Sequence, residues 1–242
     1  MLGPENAIIT IDGPSGSGKS TISRLVAARL GFTYLDTGAM YRAVGYQARK
    51  LGISFEDSKS LAELLENINL VLAPGDGDTR VILDGEDISL AIRTAEMGLI
   101  ASQVSAQPVV RQKLTEMQRR MGEKGRVVVE GRDTGTVVFP SARHKFFLDA
   151  EPEERARRRC QQLREKGLAA DENDVLAQII KRDQDDSGRS LAPLRPADDA
   201  IIIDTSSLGI NDVVLFMLEQ VEKSEEKVQY ESRDERIGKM IS

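Results

Sequence analysis

The sequence predicts an α/β fold built around a central parallel sheet. Short apolar runs alternate along the 242-residue chain with segments of helical periodicity, a pattern typical of parallel sheets covered by helices. A glycine-rich turn joins the first apolar run to the first helical segment, and a hairpin pattern interrupts the alternation once. Because open sheets of this kind bind ligands at the carboxyl ends of their strands, the turns that follow the apolar runs are candidate site positions.

The glycine-rich turn is a P-loop. Residues 13–20 match G-x-x-x-x-G-K-[ST] without a mismatch, between a predicted buried strand over 7–12 and a predicted helix over 20–30. Glycines let backbone N–H groups approach phosphate oxygens closely, and the helix N-terminus adds partial positive charge. Lys19 is placed to reach the β- and γ-phosphates of a nucleoside triphosphate, and the Ser20 hydroxyl to ligate Mg²⁺. The residues predicted to bind the nucleoside triphosphate are Gly13, Pro14, Ser15, Gly16, Ser17, Gly18, Lys19, Ser20 and Thr21.

The remaining elements follow along the chain. Two strand patterns flank the turn residues 74–78, which predicts a hairpin and indicates an insertion in the α/β alternation. Beyond about Glu222 the chain is charged and poor in large apolar residues, typical of a frayed helix or a disordered tail. The predicted strands are 33–35, 70–73, 80–84, 127–130, 145–149 and 200–204. The predicted helices are 38–51, 60–68, 94–105, 109–122, 152–166, 175–186 and 210–221.

Composition excludes several classes of protein. A net charge of −6 and a pI near 5.1 argue against non-specific nucleic-acid binding. The sequence has no apolar run of membrane-spanning length, and its first residues do not have the pattern of a signal peptide. Cys160 is the only cysteine, which rules out a disulfide within the chain and fits the cytoplasm. The only histidine, His144, argues against a His-centred catalytic triad.

A P-loop alone does not separate kinases, GTPases and motor-like ATPases. The chain lacks the Asn-Lys-x-Asp motif with which GTPases read guanine, and it is short for a large ATPase. Its length, its hairpin and its arginine-rich helix favour a small-molecule kinase that closes a lid over its substrates. Two alternatives stay open: a kinase for another small acceptor, and a nucleotide-binding switch that signals through the charged tail.

Several blocks of the sequence are characteristic of one kinase family. The blocks E-G-R-D-T-G-T-V-V-F-P at 130–140 and D-T-G-A-M-Y-R at 36–42 are far more specific than the P-loop, which many families share. With these blocks the chain resembles the bacterial cytidylate kinase family, whose members phosphorylate a nucleoside monophosphate. The resemblance runs from about Ile8 to Val221, and the polar extension after Val221 is its main departure. The other matching blocks are residues 13–21, 92–94, 101–105, 110–111, 182–183 and 189–194.

This resemblance implies a P-loop NTPase three-layer fold with an inserted NMP-binding hairpin region and a helical lid. It implies that ATP, with Mg²⁺, donates its γ-phosphoryl group to CMP or dCMP, giving ADP and CDP or dCDP. The expected protein is a cytoplasmic monomer without a nucleic-acid or membrane partner. The expected divisions are a kinase core over 1–224, an NMP-binding insertion over about 60–106, a lid over about 152–170 and a polar tail over 225–242.

The same resemblance supplies the residues that would bind CMP. An arginine can hold a phosphate dianion with a bidentate fork, which fits the two arginines expected at the acceptor phosphate. Uracil has a carbonyl where cytosine has an amino group, so a buried carboxylate there predicts at least about tenfold preference for CMP over UMP. The implied residues are Thr37, Arg42 and Arg132 at the phosphate, Ser102, Asp133 and Arg111 at the base with Arg189 nearby, and Arg182 and Asp186 at the ribose.

Without the resemblance, several of these residues have plainer interpretations. Arg42 fits a solvated charge on an amphipathic helix equally well, and Arg182 and Asp186 fit a charged helix face. Asp12 and Asp36, each at a strand end, would either hold a Mg²⁺-bound water or cap a helix, and the second interpretation is favoured.

Four arginines cluster within residues 155–159 of the predicted helix after Pro152. By itself the pattern favours a charged surface helix with i,i+4 pairs such as Glu151–Arg155 and Glu154–Arg158. In a phosphate-transfer enzyme, arginines of a mobile lid neutralise charge on the transferring group. The resemblance assigns this segment to the lid, which predicts Arg155 and Arg158 as catalytic residues beside Lys19 and Arg132. The four arginines are Arg155, Arg157, Arg158 and Arg159, with Arg159 the next candidate.

Overall fold

The protein is described by a computed structural model that covers residues 7–75, 79–165 and 167–224. These residues form eight strands and eight α-helices. The strands are β1 Ile8–Asp12, β2 Thr33–Asp36, β3 Leu70–Pro74, β4 Thr79–Leu83, β5 Glu86–Asp87, β6 Val127–Gly131, β7 His144–Asp149 and β8 Ile201–Asp204. The helices are α1 Lys19–Leu30, α2 Thr37–Lys50, α3 Ser58–Asn67, α4 Ala95–Ser105, α5 Pro108–Gly122, α6 Pro152–Glu165, α7 Glu172–Ser187 and α8, residues 210–224.

The central sheet has five parallel strands in the order β2-β6-β1-β7-β8. Both faces of this sheet are buried, as the alternation along β6 shows. Val127 and Val129 belong to one apolar core, formed with α2, α4 and α5, whereas Val128 belongs to a second core with α1 and α8. Helices therefore cover the sheet on both sides, and the predicted three-layer fold with a central parallel sheet is confirmed.

A second, smaller sheet contains β3, β4 and β5. The first two strands pair antiparallel, with Leu70 opposite Leu83 and Pro74 opposite Thr79, as the turn residues between them predict. Residues 76–78 of that turn lie outside the described residues. Because α3 precedes this sheet and α4 follows it, the hairpin interrupts the strand–helix alternation of the central sheet. The limits of the insertion, about 60–106, stay a prediction.

The helix boundaries differ from the predictions most clearly at α7, which begins at Glu172 instead of residue 175. The Asp171 side chain accepts hydrogen bonds from the backbone N–H groups of Asn173 and Asp174, which caps the helix before its first apolar residue. The last helix, α8, continues to residue 224, and the predicted tail over 225–242 lies outside the described residues. None of the described helices is both long and apolar enough to cross a membrane.

One connection, unforeseen from the sequence, is a π-helical turn at Thr134–Val138 directly after β6. Its first N–H groups, from Thr134 and Gly135, donate to the two carboxylate oxygens of Asp12 at 2.9 and 2.8 Å. Asp12 lies at the end of β1, 122 residues away from Thr134 in sequence. Since the capping carboxylate comes from a distant strand, no local pattern around residue 134 indicates the turn. These two hydrogen bonds orient residues 132–133, which lie between β6 and the turn.

Gly13→Ala should strongly destabilise the fold. Gly13 has φ +146°, and a Cβ atom there would lie 2.0 Å from the backbone carbonyl oxygen of Leu148. We expect the free energy of unfolding, measured by urea denaturation, to fall by about 3 kcal/mol or more. Gly52→Ala is the matched control, since Gly52 also has positive φ, +69°, but no atom lies within 4 Å of its Cβ position. Its cost should stay near 1 kcal/mol; equal losses in both variants would contradict the steric account.

Candidate active site

The candidate site lies at the carboxyl edge of the central sheet. All five of its strands carry a carboxylate in their last two residues, and three of these belong to the site: Asp12 of β1, Asp36 of β2 and Glu130 of β6. The chain crosses from one side of β1 to the other between β6 and β7, which makes this the topological switch point of the sheet. Ligands of open α/β sheets bind at such a point. The P-loop, which follows β1, lies there.

The P-loop curls around the side chain of Lys19. The Lys19 Nζ donates to the Pro14 carbonyl oxygen at 2.5 Å, and the Ser17 hydroxyl donates to the same oxygen at 3.1 Å. Gly16 and Gly18 have positive φ, +84° and +89°, which lets the loop turn tightly before α1 begins. The N–H groups of the first turn of α1 are left without helical partners, which suits an anion.

Lys19 is buried among charges of both signs. Burial, followed by the neighbouring Arg132, lowers the pKa of Lys19 to about 7, although Glu130 acts in the opposite direction. A polyphosphate bound at the loop would supply the anion that this buried ammonium lacks.

Glu130 connects the P-loop to β2. It accepts hydrogen bonds from the Ser20 hydroxyl at 2.7 Å and from the Tyr34 hydroxyl, while its backbone carbonyl accepts from the Thr37 hydroxyl at 2.6 Å. Burial, with Glu130 next in size, raises the pKa of Tyr34, so its phenol stays a donor. Glu130 begins one of the specific sequence blocks, but no role was predicted for it. Its position, a carboxylate at the end of an otherwise apolar strand, was the available signal.

Asp186, on α7, gathers three arginines. It accepts hydrogen bonds from Arg132 Nε at 3.1 Å and from Arg189 Nη2, and Arg182 Nε lies 3.9 Å from its Oδ2 atom. The Asp186 carboxylate is almost fully buried. Ser102 joins the cluster, because its hydroxyl accepts from Arg189 at 3.1 Å. The structure thus brings together five residues that the resemblance assigns to CMP.

The arginine cluster sets the ionisation of its members. Burial by itself would raise the pKa of Asp186, but Arg132, Arg189 and Arg182 outweigh burial and lower it. Burial, followed by the neighbouring Arg132, lowers the pKa of Arg182 to about 10. Asp186 therefore remains a carboxylate at neutral pH and neutralises part of the cluster.

Arg42 stands beside this cluster on α2. Its Nη2 donates to Asp36 at 2.9 Å, and Asp36 also accepts from the Ala39 backbone N–H, so it caps α2 as expected for a strand-end aspartate. The Nε atoms of Arg42 and Arg182 are buried and have no hydrogen-bond partner among the described residues. Buried donors without acceptors are costly, so an anionic ligand would satisfy them.

Arg111 and Asp133 form a buried ion pair next to this cluster. The Arg111 Nη1 lies 2.7 Å from the Asp133 Oδ2, and the Arg111 Nε donates to the Ser105 carbonyl at 3.1 Å. The Arg111 guanidinium also lies over the Tyr41 ring, 5.6 Å from its centroid. Burial raises the pKa of Asp133, against the lowering effect of Arg111. Tyr41, like Glu130, contacts the predicted site residues without having been assigned a role.

The arginines of α6 are not arranged as the surface-helix pattern predicts. Arg155 is buried and pairs with Asp183 of α7 at 2.6 Å, so the predicted Glu151–Arg155 pair is wrong. A buried ion pair with a facing helix replaces the exposed i,i+4 pair. The predicted Glu154–Arg158 pair is present at 2.8 Å.

The other α6 arginines differ in their contacts. Arg158 also donates to the hydroxyl and carbonyl oxygens of Thr205, at 3.2 and 2.5 Å. Arg157 is exposed and pairs with Glu154, whose pKa falls to about 2 through its hydrogen bond with Arg157 and then Arg158. Arg159 is half-buried, and its side chain forms no hydrogen bond or ion pair within the described residues. Cys160, next to it, is buried against α7.

Comparison with known proteins decides the family. The family model "Cytidylate kinase" matches residues 9–223. The chain belongs to the cytidylate kinase family. It is 50% identical over 210 residues to the cytidylate kinase of Geobacter sp. strain M21, covering 87% of this chain and 90% of that protein. It is 51% identical over 214 residues to that of Syntrophotalea carbinolica, covering 88% and 91%.

The fold of the family member described here is also found in solved structures. An uncharacterized protein from Eubacterium ventriosum superposes with a TM-score of 0.50 and 10% identity, over 90% of this chain and 99% of that one. At this identity the likeness concerns the fold alone. The family and the P-loop fold that the sequence blocks predict are therefore confirmed, whereas the roles of individual residues remain predictions.

Asp186→Asn should lower stability in a pH-dependent way. At pH 7 the variant leaves three arginines without their shared carboxylate, and we expect a loss of about 3 kcal/mol in the free energy of unfolding. Because the pKa of Asp186 is lowered on folding, its contribution is present above the unfolded value of about 3.9. It is lost as the pH falls through the lower folded value, so the difference from the unaltered chain should shrink in acid.

Urea unfolding curves at several pH values measure this difference. Asp185→Asn is the control, since it removes the same charge from the same helix at an exposed position where no ion pair forms within the described residues. It should change the unfolding free energy by less than about 0.5 kcal/mol. Equal losses in the two variants, or a loss for Asp186→Asn that does not vary with pH, would contradict the assignment.

Proposed function

We propose that this member of the cytidylate kinase family transfers the γ-phosphoryl group of ATP to CMP or dCMP at the carboxyl edge of the sheet, giving ADP and CDP or dCDP. The curated relatives are named cytidylate kinases, and the chain covers about nine-tenths of the length of each of the two described above. The chain is accordingly a phosphotransferase with a phosphate group as acceptor.

One observation carries this proposal: the P-loop and the arginine cluster meet. Arg182 Nη1 lies 3.4 Å from the Ser15 hydroxyl of the loop, and Arg132 is close enough to Lys19 to lower its pKa. A donor phosphate bound at the loop and an acceptor phosphate bound by the arginines would thus be neighbours. Such proximity is what a direct transfer between two bound nucleotides needs.

The donor side uses the P-loop, residues 13–21. Its backbone N–H groups and the N-terminus of α1 would hold the β- and γ-phosphates, and Lys19 would exchange its Pro14 carbonyl for a phosphate oxygen. The Ser20 hydroxyl and the Glu130 carboxylate, already 2.7 Å apart, are hard oxygen ligands of the kind that suits Mg²⁺ with waters and phosphates. Mg²⁺ bound there would neutralise charge on the donor phosphates.

The acceptor side uses the arginine cluster. Arg42 and Arg132, with Thr37, would bind the CMP phosphate, and the unpartnered Nε atoms of Arg42 and Arg182 provide donors for it. The attacking oxygen already belongs to a phosphate anion and needs little help from a general base. Positioning in line with the donor and neutralisation of charge by Lys19 and arginines would therefore supply most of the catalysis.

The base side uses the Arg111–Asp133 pair and Ser102. The Asp133 carboxylate and the Ser102 hydroxyl would accept from the cytosine N4 amino group, while Arg111 would donate to N3 and O2. Arg182 and Asp186 would meet the ribose, with Arg189 beside them. Asp133 would face a carbonyl in UMP and lose its donor, which costs about 1–3 kcal/mol.

Several wider predictions belong to the same proposal. Residues 152–170 would act as the lid and residues 60–106 as the NMP-binding insertion, with Arg155 and Arg158 entering from α6. The contacts of Arg155 support its position at the donor loop, since its Nη1 donates to the Ser15 carbonyl at 3.1 Å. The protein would act as a monomer in the cytoplasm, where its single buried thiol, Cys160, stays reduced.

An acceptor panel tests the reaction. We expect ADP release from ATP and Mg²⁺ to be stimulated strongly by CMP and dCMP, at least about tenfold less at equal concentration by UMP, and not by AMP or GMP. A reaction without acceptor provides the control for hydrolysis. Equal ADP release with and without every acceptor would contradict the kinase assignment, and stimulation by another acceptor alone would contradict CMP as its substrate.

Lys19→Ala should separate catalysis from acceptor binding. We expect kcat to fall by about 100- to 1,000-fold, because Lys19 stabilises charge on the transferring group. The dissociation constant for CMP, measured by calorimetry, should change by less than about twofold, since the acceptor residues are intact. Lys124→Ala, at an exposed position beyond α5, is the control and should be active. Near-normal turnover of Lys19→Ala would refute its role.

A further inference from the structure

Asp183 has no part in the mechanism above, although it forms an ion pair with Arg155, one of the predicted catalytic arginines. Arg155 of α6 and Asp183 of α7 are joined through the Arg155 Nη2 and the Asp183 Oδ2 at 2.6 Å. The Arg155 side chain is 3% exposed and the Asp183 side chain is 23% exposed, so the guanidinium is buried and its partner is half-buried. Removing charged groups from water costs free energy, so we ask which groups this pair positions.

Arg155 also binds two backbone carbonyl groups, one of them in the P-loop. Its Nε donates to the Ala150 carbonyl at 2.8 Å, and its Nη1 donates to the Ser15 carbonyl of the P-loop at 3.1 Å. The Asp183 carboxylate and these two carbonyl oxygens therefore bind the Arg155 guanidinium on three sides. With the guanidinium fixed, the Ser15 carbonyl is fixed as well.

The direction of the Ser15 carbonyl determines the direction of the next amide. The peptide bond between Ser15 and Gly16 is trans and planar, so its C=O and N–H groups point in opposite directions. Because Arg155 of α6 donates to the Ser15 carbonyl, this carbonyl points toward α6 and the Gly16 N–H points to the opposite side of the loop. Backbone N–H groups on that side are what a P-loop offers to phosphate oxygens.

The packing of α6 on the loop supports this assignment. A Cβ atom on Gly16 would lie 3.0 Å from the Arg155 Cβ and 3.4 Å from its carbonyl oxygen, so the helix lies directly against the loop backbone. Gly16 has φ +84°, a conformation that favours glycine. The orientation of this peptide is therefore set by its contact with Arg155.

We propose that Asp183 is a positioning residue for the donor triphosphate: through Arg155 it holds the Ser15 carbonyl and thereby aims the Gly16 amide at the phosphate. Asp183 and Asp186 lie one helical turn apart on α7, and they have separate tasks. Asp186 neutralises the acceptor arginines, whereas Asp183 acts on the donor loop. This inference rests on the proposed ATP site.

The test compares donor and acceptor binding in Asp183 variants. We expect Asp183→Ala to raise the dissociation constant for ATP, measured by calorimetry, and the KM for ATP by about tenfold. The KM for CMP should change by less than about twofold and kcat by less than about threefold, since the lost interaction serves ground state and transition state alike. Asp183→Asn retains an oxygen for Arg155 and should recover part of the ATP affinity.

Matched variants separate positioning from general damage to α7. Asp185→Ala removes the same charge from an exposed position of the same helix and should leave both substrates unaffected. In a double-mutant cycle, Asp183→Ala should add less than about twofold to the ATP defect of Arg155→Ala, because Asp183 acts through Arg155. Arg155→Lys keeps the charge but lacks the fork, so it should reproduce the ATP defect even if Asp183→Ala does not fold.

Three results would overturn the inference. These are an unchanged ATP affinity in folded Asp183→Ala, parallel losses for ATP and CMP, and an ATP defect that persists undiminished in the Arg155→Ala background. A wild-type chain that binds ATP but phosphorylates no nucleotide would instead contradict the proposed function, and the binding comparison would still decide the role of Asp183.

Discussion

The site depends on carboxylates that hold several positively charged arginine side chains close together. Arg132, Arg182 and Arg189 converge on one buried aspartate, Asp186. Without it these guanidinium groups would repel one another in a poorly solvated site, where charges interact more strongly than in water. The opposing charge lets the cluster exist before any ligand arrives. In the proposed function, a phosphate dianion would add a second anion to this preformed site, so little reorganisation would be needed.

The parallel sheet explains why so few elements build the site. Within four residues at the end of β6, Glu130 faces the P-loop, Arg132 reaches Asp186 and Asp133 reaches Arg111. The π-helical turn that follows β6 is held by Asp12 of the neighbouring strand, which ties this segment to the start of the P-loop. Burial raises the pKa of Asp12 to about 6 even though the Gly135 and Thr134 N–H groups oppose it. The residues proposed to bind the donor and the acceptor thus share one rigid support.

Local patterns made much of the fold predictable. Apolar alternation located the strands, turn residues located the β3–β4 hairpin, and the motif located the loop before α1. The features that were missed depend on partners remote in sequence. The π-helical turn needs Asp12, and Arg155 prefers Asp183 to Glu151 because the α6–α7 contact buries it. Motif blocks named residues of the arginine cluster, but no pattern could reveal that Asp186 joins them or that Glu130 contacts Ser20.

The central claim is that the arginine cluster receives the phosphate of the acceptor. Calorimetric titration of the protein with CMP and with cytidine tests it most directly, because the two ligands differ only in that phosphate. If the phosphate meets charged donors in a partly buried site, CMP should bind at least about 100-fold more tightly than cytidine. Equal affinities for the two ligands would mean that the arginines do not bind the acceptor phosphate, and would contradict the account.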